Sequence, residues 1–139
     1  LATDSAIVAD AVSYRSQIPL KAYEEAGIGP KDVSLAEVYD LSTALELDWM
    51  EDLQLCGRGE AATLLRNGDT QINGRIPVNA SGGLACFGEA VPAQAISQVC
   101  HLKWQLAGEA GDMQVNNPKV GITANQGLFG HGSSVILKK

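Results

Sequence analysis

The sequence predicts an α/β domain on three observations. Apolar residues recur at helical spacing in residues 43–53 and 92–106, whereas 33–38, 120–126 and 133–137 are short β-favouring runs, so both element types occur along one chain. The last two runs are joined by the short turn GLFGHG, which favours an antiparallel pair. Hydrophobic residues fill 45% of the 139 positions, enough for the core of a single domain, and neither an internal repeat nor a low-complexity stretch divides the chain.

Charge and cysteine usage narrow the partners. Ten basic against sixteen acidic residues give a net charge of −6, and the only basic cluster is Lys138-Lys139, which argues against nucleic acid and anionic membranes. Cys56, Cys86 and Cys100 are odd in number and lack metal-ligand spacing, so we expect no zinc site, no disulfide framework and a reducing cytoplasm, with each cysteine in the core. No apolar run approaches a membrane span, and the first residues lack the pattern of a signal peptide. The start at Leu1 suggests a fragment or processed product.

The elements follow in order. Residues 1–12 read as a partial helix or an ordered arm. Ser16 is the expected N-cap of a helix with Pro19 in its first turn and Gly27 as its stop. Gly29 to Asp32 form a turn, and Val33, Leu35 and Val38 lead a strand ending at Tyr39-Asp40. Ser42 or Thr43 caps the next helix, which buries Leu45, Trp49 and Leu53 and exposes Glu46, Asp48, Glu51 and Asp52. Cys56-Gly57 closes that stretch. A short helix over 59–66 precedes Asn67-Gly68-Asp69, and Asn73-Gly74 signals a tight hairpin within 70–78, formed either as two short strands or as an irregular arm. The helix over 92–106 is apolar on most sides and therefore buried; 108–118 is a polar loop.

Residues 77–94, PVNASGGLACFGEAVPAQ, organise the expected site. Asn79, Ser81, Gly82 and Gly83 let backbone amides crowd together after a strand end, and Glu89 stands at the entrance of the following helix, where the macrodipole favours an ionised carboxylate. The plainer alternative is an ordinary αβ connection with an acidic N-terminal residue. Asp40 has two readings, orienting Tyr39 or capping the next helix. Asn125, at the end of a strand, either holds a water or thioester or satisfies backbone groups. His131 in the closing turn is either near the pocket or simply exposed, and His101 reads as structural.

The motifs AEVYD, LCGRGEAATLLRNGD, PVNASGGL and WQLAGEAG, followed by a glycine-rich closing hairpin, occur in an order that resembles the C-terminal half of a thiolase. The similarity is strongest to the sterol-carrier-protein-x thiolases and the thiolase-like non-specific lipid-transfer proteins, from about Ser16 onward. It implies a mixed five-stranded sheet with helices on both faces, normally joined to a similar N-terminal half. It also implies acyl-CoA or CoA as substrate rather than as a bound cofactor, with Ser81, Gly82, Gly83, Gly127 and Gly130 shaping the binding loops.

Two motifs depart from that family. Where the thiolase type reads His-Asp-Cys-Phe, this chain has Tyr39-Asp40-Leu41-Ser42; where it reads Gly-His-Pro, this chain has Gly88-Glu89-Ala90. An ionised carboxylate accepts but cannot donate a hydrogen bond, so it spoils an oxyanion hole. The nucleophilic cysteine of the family would lie outside this chain. Tyr-Asp together with Gly-Glu-Ala resembles the steroid side-chain aldolases of the same superfamily, although their following tyrosine is Val91 here. The resemblance therefore leads to two expectations: an acyl-CoA or sterol-CoA enzyme with Tyr39 and Glu89 as acid and base in retro-aldol cleavage, assisted by Asp40, Asn125 and His131, or a non-catalytic lipid-transfer or acyl-CoA-binding module. Expected partners are the missing N-terminal half, a second copy in a dimer, and an OB-fold subunit of the kind some members use.

Overall fold

The computed structural model describes residues 14–90, 92–127 and 131–139. The expected arm over 1–12 lies outside them. The molecule is α/β, with a mixed sheet of four strands among the described residues. Strand β1 (Leu35–Val38) runs parallel to β2 (Val120–Gln126), with Leu35 opposite Gly121 and Val38 opposite Ala124. On the other side of β2, β3 (Gly132–Ser133) and β4 (Ile136–Lys138) both run antiparallel to it. The expected closing hairpin therefore forms, but its second strand is broken. At the break Val135 N–H donates to Thr123 Oγ1 at 3.0 Å and Ser134 Oγ donates to Thr123 O at 2.7 Å, so a side chain replaces a rung of the ladder.

Among the described residues, the place beyond β1 is taken by one residue rather than by a fifth strand. Val78 makes a single parallel bridge to Ala36 beyond β1, with Ala36 N–H donating to Pro77 O and Asn79 N–H to Ala36 O. The segment over 70–78 contains no strand: Gly74 N–H bonds Gln71 O and Ile76 N–H bonds Asp69 O, a set of turns. Of the two forms expected for Asn73-Gly74, the irregular arm is the one present. A Cβ at Gly74 would fall 2.2 Å from Asp69 O, so the glycine serves a close backbone approach.

Side-chain alternation divides the sheet into two buried faces. Ala36, Val38, Ile122 and Ala124 pack with Tyr23 of helix α1 (Tyr14–Ala26) and with Trp49, Met50 and Leu53 in and after α2 (Thr43–Asp52). Leu35 packs with Leu102 of a long helix on the opposite face, so helices cover both sides as expected. Ser42 does cap α2, accepting from Leu45 N–H at 3.3 Å. The short helix α3 (Ala61–Arg66) follows.

Two charged or polar placements differ from expectation. Ser16 lies within α1 and is no cap; its hydroxyl donates to Asp52 Oδ1 at 2.6 Å. Asp52, expected on the wet face, is only 1% exposed because Arg58 Nη2 at 2.7 Å and Arg15 Nε at 3.4 Å compensate its charge. A helix absent from the expectations, α4 (Gly83–Phe87), precedes α5 (Ala93–Ala107). Helix α5 is not buried all round: Gln94, Gln98, Leu102 and Gln105 face the sheet, while Ile96 and Trp104 are 65% and 42% exposed.

Candidate functional site

The carboxyl ends of the parallel strands β1 and β2 frame the site, the usual place for one in an α/β sheet. Tyr39 leaves β1 with its N–H donated to Ala124 O at 2.8 Å, which holds it against β2. Its ring is 5% exposed and its hydroxyl donates to Glu89 Oε1. Glu89 itself is exposed. Burial, then the hydrogen bond and negative charge of Glu89, push the Tyr39 phenol up to about 12, so it keeps its proton across the physiological range.

Asp40 does neither of the two tasks expected of it. Its Oδ1 accepts from Leu84 N–H at 2.9 Å, at the start of α4, and Ser42 caps α2 instead. Gly83, at φ +65°, brings its backbone so near that a Cβ would lie 2.0 Å from Asp40 Oδ2. Helix α4 ends where Gly88 N–H bonds Leu84 O at 2.8 Å, and Glu89 follows directly. Consecutive residues Tyr39 and Asp40 thus grip the two ends of one short helix. Glu89 was expected at the entrance of the following helix; α5 begins at Ala93, with Pro92 as its N-cap, and has no acidic residue in its first turn, so the carboxylate is placed by its bond to Tyr39.

The glycine loop is held from within. Ser81 N–H donates to Glu37 Oε1 at 3.1 Å and Ser81 Oγ to Glu37 Oε2. Gly82 N–H bonds Asn79 O at 2.9 Å, and Gly83 N–H bonds Ser81 Oγ at 3.1 Å. The amides that sequence reasoning offered to a ligand already have acceptors in the protein. Asn79 completes the frame, accepting from Val38 N–H at 2.7 Å and donating to Glu46 Oε1 at 3.3 Å.

Sequence reasoning missed Glu37 and underrated Glu46. Glu37 is fully buried, and burial pushes its carboxyl up to about 7; the two Ser81 hydrogen bonds oppose that rise and the charge of Asp40 adds to it. Glu46 is raised by burial and by Asp40, against the Asn79 hydrogen bond. A carboxylate inside the apolar run LAEV of a buried parallel strand was the available signal for Glu37.

The remaining candidates are placed as follows. Asn125 is buried, one residue beyond Ala124, and its Nδ2 donates to Gln98 Oε1 at 3.1 Å. His131 is exposed, and its carbonyl accepts from Gly127 N–H at 2.7 Å. Together with Ile18, Lys21, Glu24 and Gly132 it lines an open groove of about 750 Å³ against α1, apart from the Tyr39–Glu89 pair. Gly130 and Val91 lie outside the described residues. Cys86 is exposed on α4 beside Gly82 rather than in the core; Cys56 and Cys100 are half-buried. His101 stacks on Phe87 with centroids 5.6 Å apart and meets Trp104 edge-on at 5.1 Å, a structural cluster. Among the described residues no group of three His, Cys, Asp or Glu could hold a metal ion, and no helix is long and apolar enough to cross a membrane.

A family model described as thiolase C-terminal domain-like matches residues 7–139. Rat sterol carrier protein 2 is 41% identical over 110 residues, covering 79% of this chain and 20% of the rat protein. An acetyl-CoA acetyltransferase of Methanothermobacter thermautotrophicus is 39% identical over 114 residues, covering 82% of this chain and 30% of that one. A solved structure titled "Ltp2-ChsH2(DUF35) aldolase" superposes with a TM-score of 0.77 at 26% identity, over 89% of this chain and 31% of that chain. The chain thus spans about a fifth to a third of the length of these relatives.

Proposed function

This chain belongs to the thiolase C-terminal domain-like family, and from that premise we propose that it supplies the acid–base pair of an enzyme that splits a C–C bond in a β-hydroxyacyl-CoA or sterol-CoA thioester of lipid metabolism. The observation that carries the reading is the hydrogen bond from Tyr39 Oη to Glu89 Oε1 at the carboxyl edge of the sheet. Glu89 takes the proton of the substrate's β-hydroxyl as the Cα–Cβ bond breaks and its electrons move onto the thioester as an enolate. Tyr39, still protonated, donates its proton to the enolate carbon. The proton held by Glu89 then returns to Tyr39 along their hydrogen bond, which restores the pair and leaves a carbonyl product and a shortened acyl-CoA.

Thiolysis fits less well. It needs hydrogen-bond donors around a developing oxyanion, and Glu89 as a carboxylate only accepts. Asp40 serves in this reading by fixing α4. Asn125 offers its carboxamide to the substrate or a water, and His131 acts only if the substrate extends into the groove beside α1. Ser81, Gly82, Gly83, Gly127 and Gly130 shape the binding loops. The similarity to sterol carrier protein 2 supports a second reading, in which the domain binds or transfers lipid thioesters without chemistry.

The partners proposed with this reading are the rest of a longer chain, a second copy in a dimer, and an OB-fold subunit. Exposed Ile96 and Trp104 on α5 support a covering surface of some kind. Three free cysteines fit a reducing cytoplasm. The test is turnover of a β-hydroxyacyl-CoA by the full-length parent protein. Glu89→Ala and Tyr39→Phe should each lower kcat by roughly 10²-fold or more. Unchanged turnover in both would sink the catalytic assignment, and a loss of affinity alone would favour the carrier.

A further inference from the structure

The sheet-facing stripe of α5 is chemically odd. A helix packed on a buried sheet presents apolar residues to it, yet three of the five buried positions here are glutamine: Gln94, Gln98 and Gln105 beside Leu102 and Leu106. The three are satisfied to different degrees. Gln105 is a structural residue: its Nε2 donates to Met113 O at 2.6 Å, and its Oε1 accepts from Val115 N–H at 2.8 Å and Gln114 Nε2 at 3.0 Å. Gln98 has one partner, the Asn125 carboxamide. Gln94 is 2% exposed and neither atom of its amide has a partner.

This gradient has a direction. Leu102 packs on Gly121 and Gln98 meets Asn125, so α5 runs antiparallel to β2 and its first turn points toward the carboxyl edge of the sheet. Polar capacity left unfilled by packing therefore increases toward the end that holds Tyr39 and Glu89. A buried carboxamide without partners is destabilising, so helix–sheet packing alone does not account for these residues.

We propose that Gln98 is a positioning residue for the Tyr39–Glu89 site, acting through Asn125. The inference rests on the reaction proposed above. With Nδ2 donated to Gln98 Oε1, the plane of the Asn125 side chain is fixed and its Oδ1 is the end left for a substrate hydroxyl or a water. Asn125 directly follows Ala124, whose carbonyl holds Tyr39, so a turn of its carboxamide changes what lies beside the phenol. Gln94, the next rung toward the edge, adds a second carboxamide to the same polar row.

The experiment is a double-mutant cycle on kcat in the full-length parent, using Gln98→Leu, Asn125→Ala and the pair, with Gln98→Met as a second variant that keeps side-chain length. Gln98→Leu should lower kcat by about tenfold or more with KM changed less than about twofold, the signature of misplacement rather than lost binding. In the Asn125→Ala background the same change should cost less than about twofold. Selective labelling of asparagine should show the Asn125 side-chain amide protected from exchange in the wild type and released in both Gln98 variants. Multiplicative losses in the cycle, or an Asn125 amide unaffected by Gln98→Leu, would overturn the proposal. A wild type without turnover counts against the retro-aldol reading alone; the positioning role is then read on the Asn125 amide exchange, and an amide unaffected by Gln98→Leu overturns it.

Discussion

Replacing Glu37 by glutamine should change how stability depends on pH while leaving the fold intact. Glu37 is fully buried, and burial pushes its carboxyl up to about 7 from the 4.5 of a solvated glutamate. The folded state therefore holds this proton more tightly than the unfolded chain does. The corresponding stability is complete below pH 4.5, falls as pH rises toward 7, and is lost above it. At about 1.4 kcal/mol per pKa unit, the full span is about 3 kcal/mol. Glutamine keeps an acceptor for Ser81 and a donor that the Ser81 hydroxyl can accept, but it does not titrate. Urea unfolding of wild type and Glu37→Gln at pH 4.5 and pH 8 should show the variant gaining about 3 kcal/mol relative to wild type between the two conditions. Glu46 and the other carboxylates are common to both proteins and cancel in the comparison. A difference between the two proteins that stays constant with pH would refute the reasoning, because it would mean that folding does not shift the Glu37 carboxyl.

Other outcomes follow from single contacts. Gly83→Ala should cost about 2 kcal/mol or more, since a Cβ there meets Asp40 Oδ2 and the backbone sits at φ +65°; a Tm within a degree or two of wild type would contradict that geometry. Asp52→Ala should cost about 1–2 kcal/mol by removing the buried acceptor that Ser16 Oγ, Arg15 and Arg58 share, while the guanidinium groups keep Asp48 and Glu51, and a loss under about 0.5 kcal/mol in urea unfolding would show the pairing to be unimportant. Ultraviolet titration should find Tyr39 still protonated at pH 10, and Glu89→Gln should bring its pKa down from about 12 by removing the neighbouring charge; no change would separate the two side chains. Trp104→Glu should weaken association at micromolar concentration if α5 lies in an interface, and an elution profile identical to wild type would remove that surface from consideration.

The site was legible in part because it sits where strands end. Tyr39, Asp40 and Glu89 were all expected near one another, and the structure brings them together; so was the Ser42 cap, a local effect of one hydroxyl on one amide. Helix α4 was invisible because a five-residue helix has no apolar period to read and is held by Asp40, which lies 44 residues away from its partner Leu84. Asp52 and Glu37 defeated the rule that acids face water for the same reason: Ser16 and Ser81, which hydrogen-bond them, come from distant parts of the chain. The glutamines of α5 looked like ordinary polar positions between apolar ones, and only the sheet shows which side of the helix is dry. Asn73-Gly74 carried the strongest local hairpin signal, yet the flanking residues make turns instead, and the only ladder contact in the segment is that of Val78 with β1.

The grip of Tyr39 and Asp40 on α4 makes a closed ring of fixed circumference. One arc is the peptide bond between the two residues, the other is the backbone from Leu84 to Glu89, and two side-chain hydrogen bonds close the circuit. A ring of this kind counts residues. Inserting or deleting one residue in α4 would swing Glu89 by about 100° around the helix axis while Asp40 still held Leu84. The interval between Leu84 and Glu89 therefore sets the Tyr39–Glu89 contact as much as the two side chains do. A homologous chain that kept both side chains but altered that interval would hold the tyrosine and the glutamate apart.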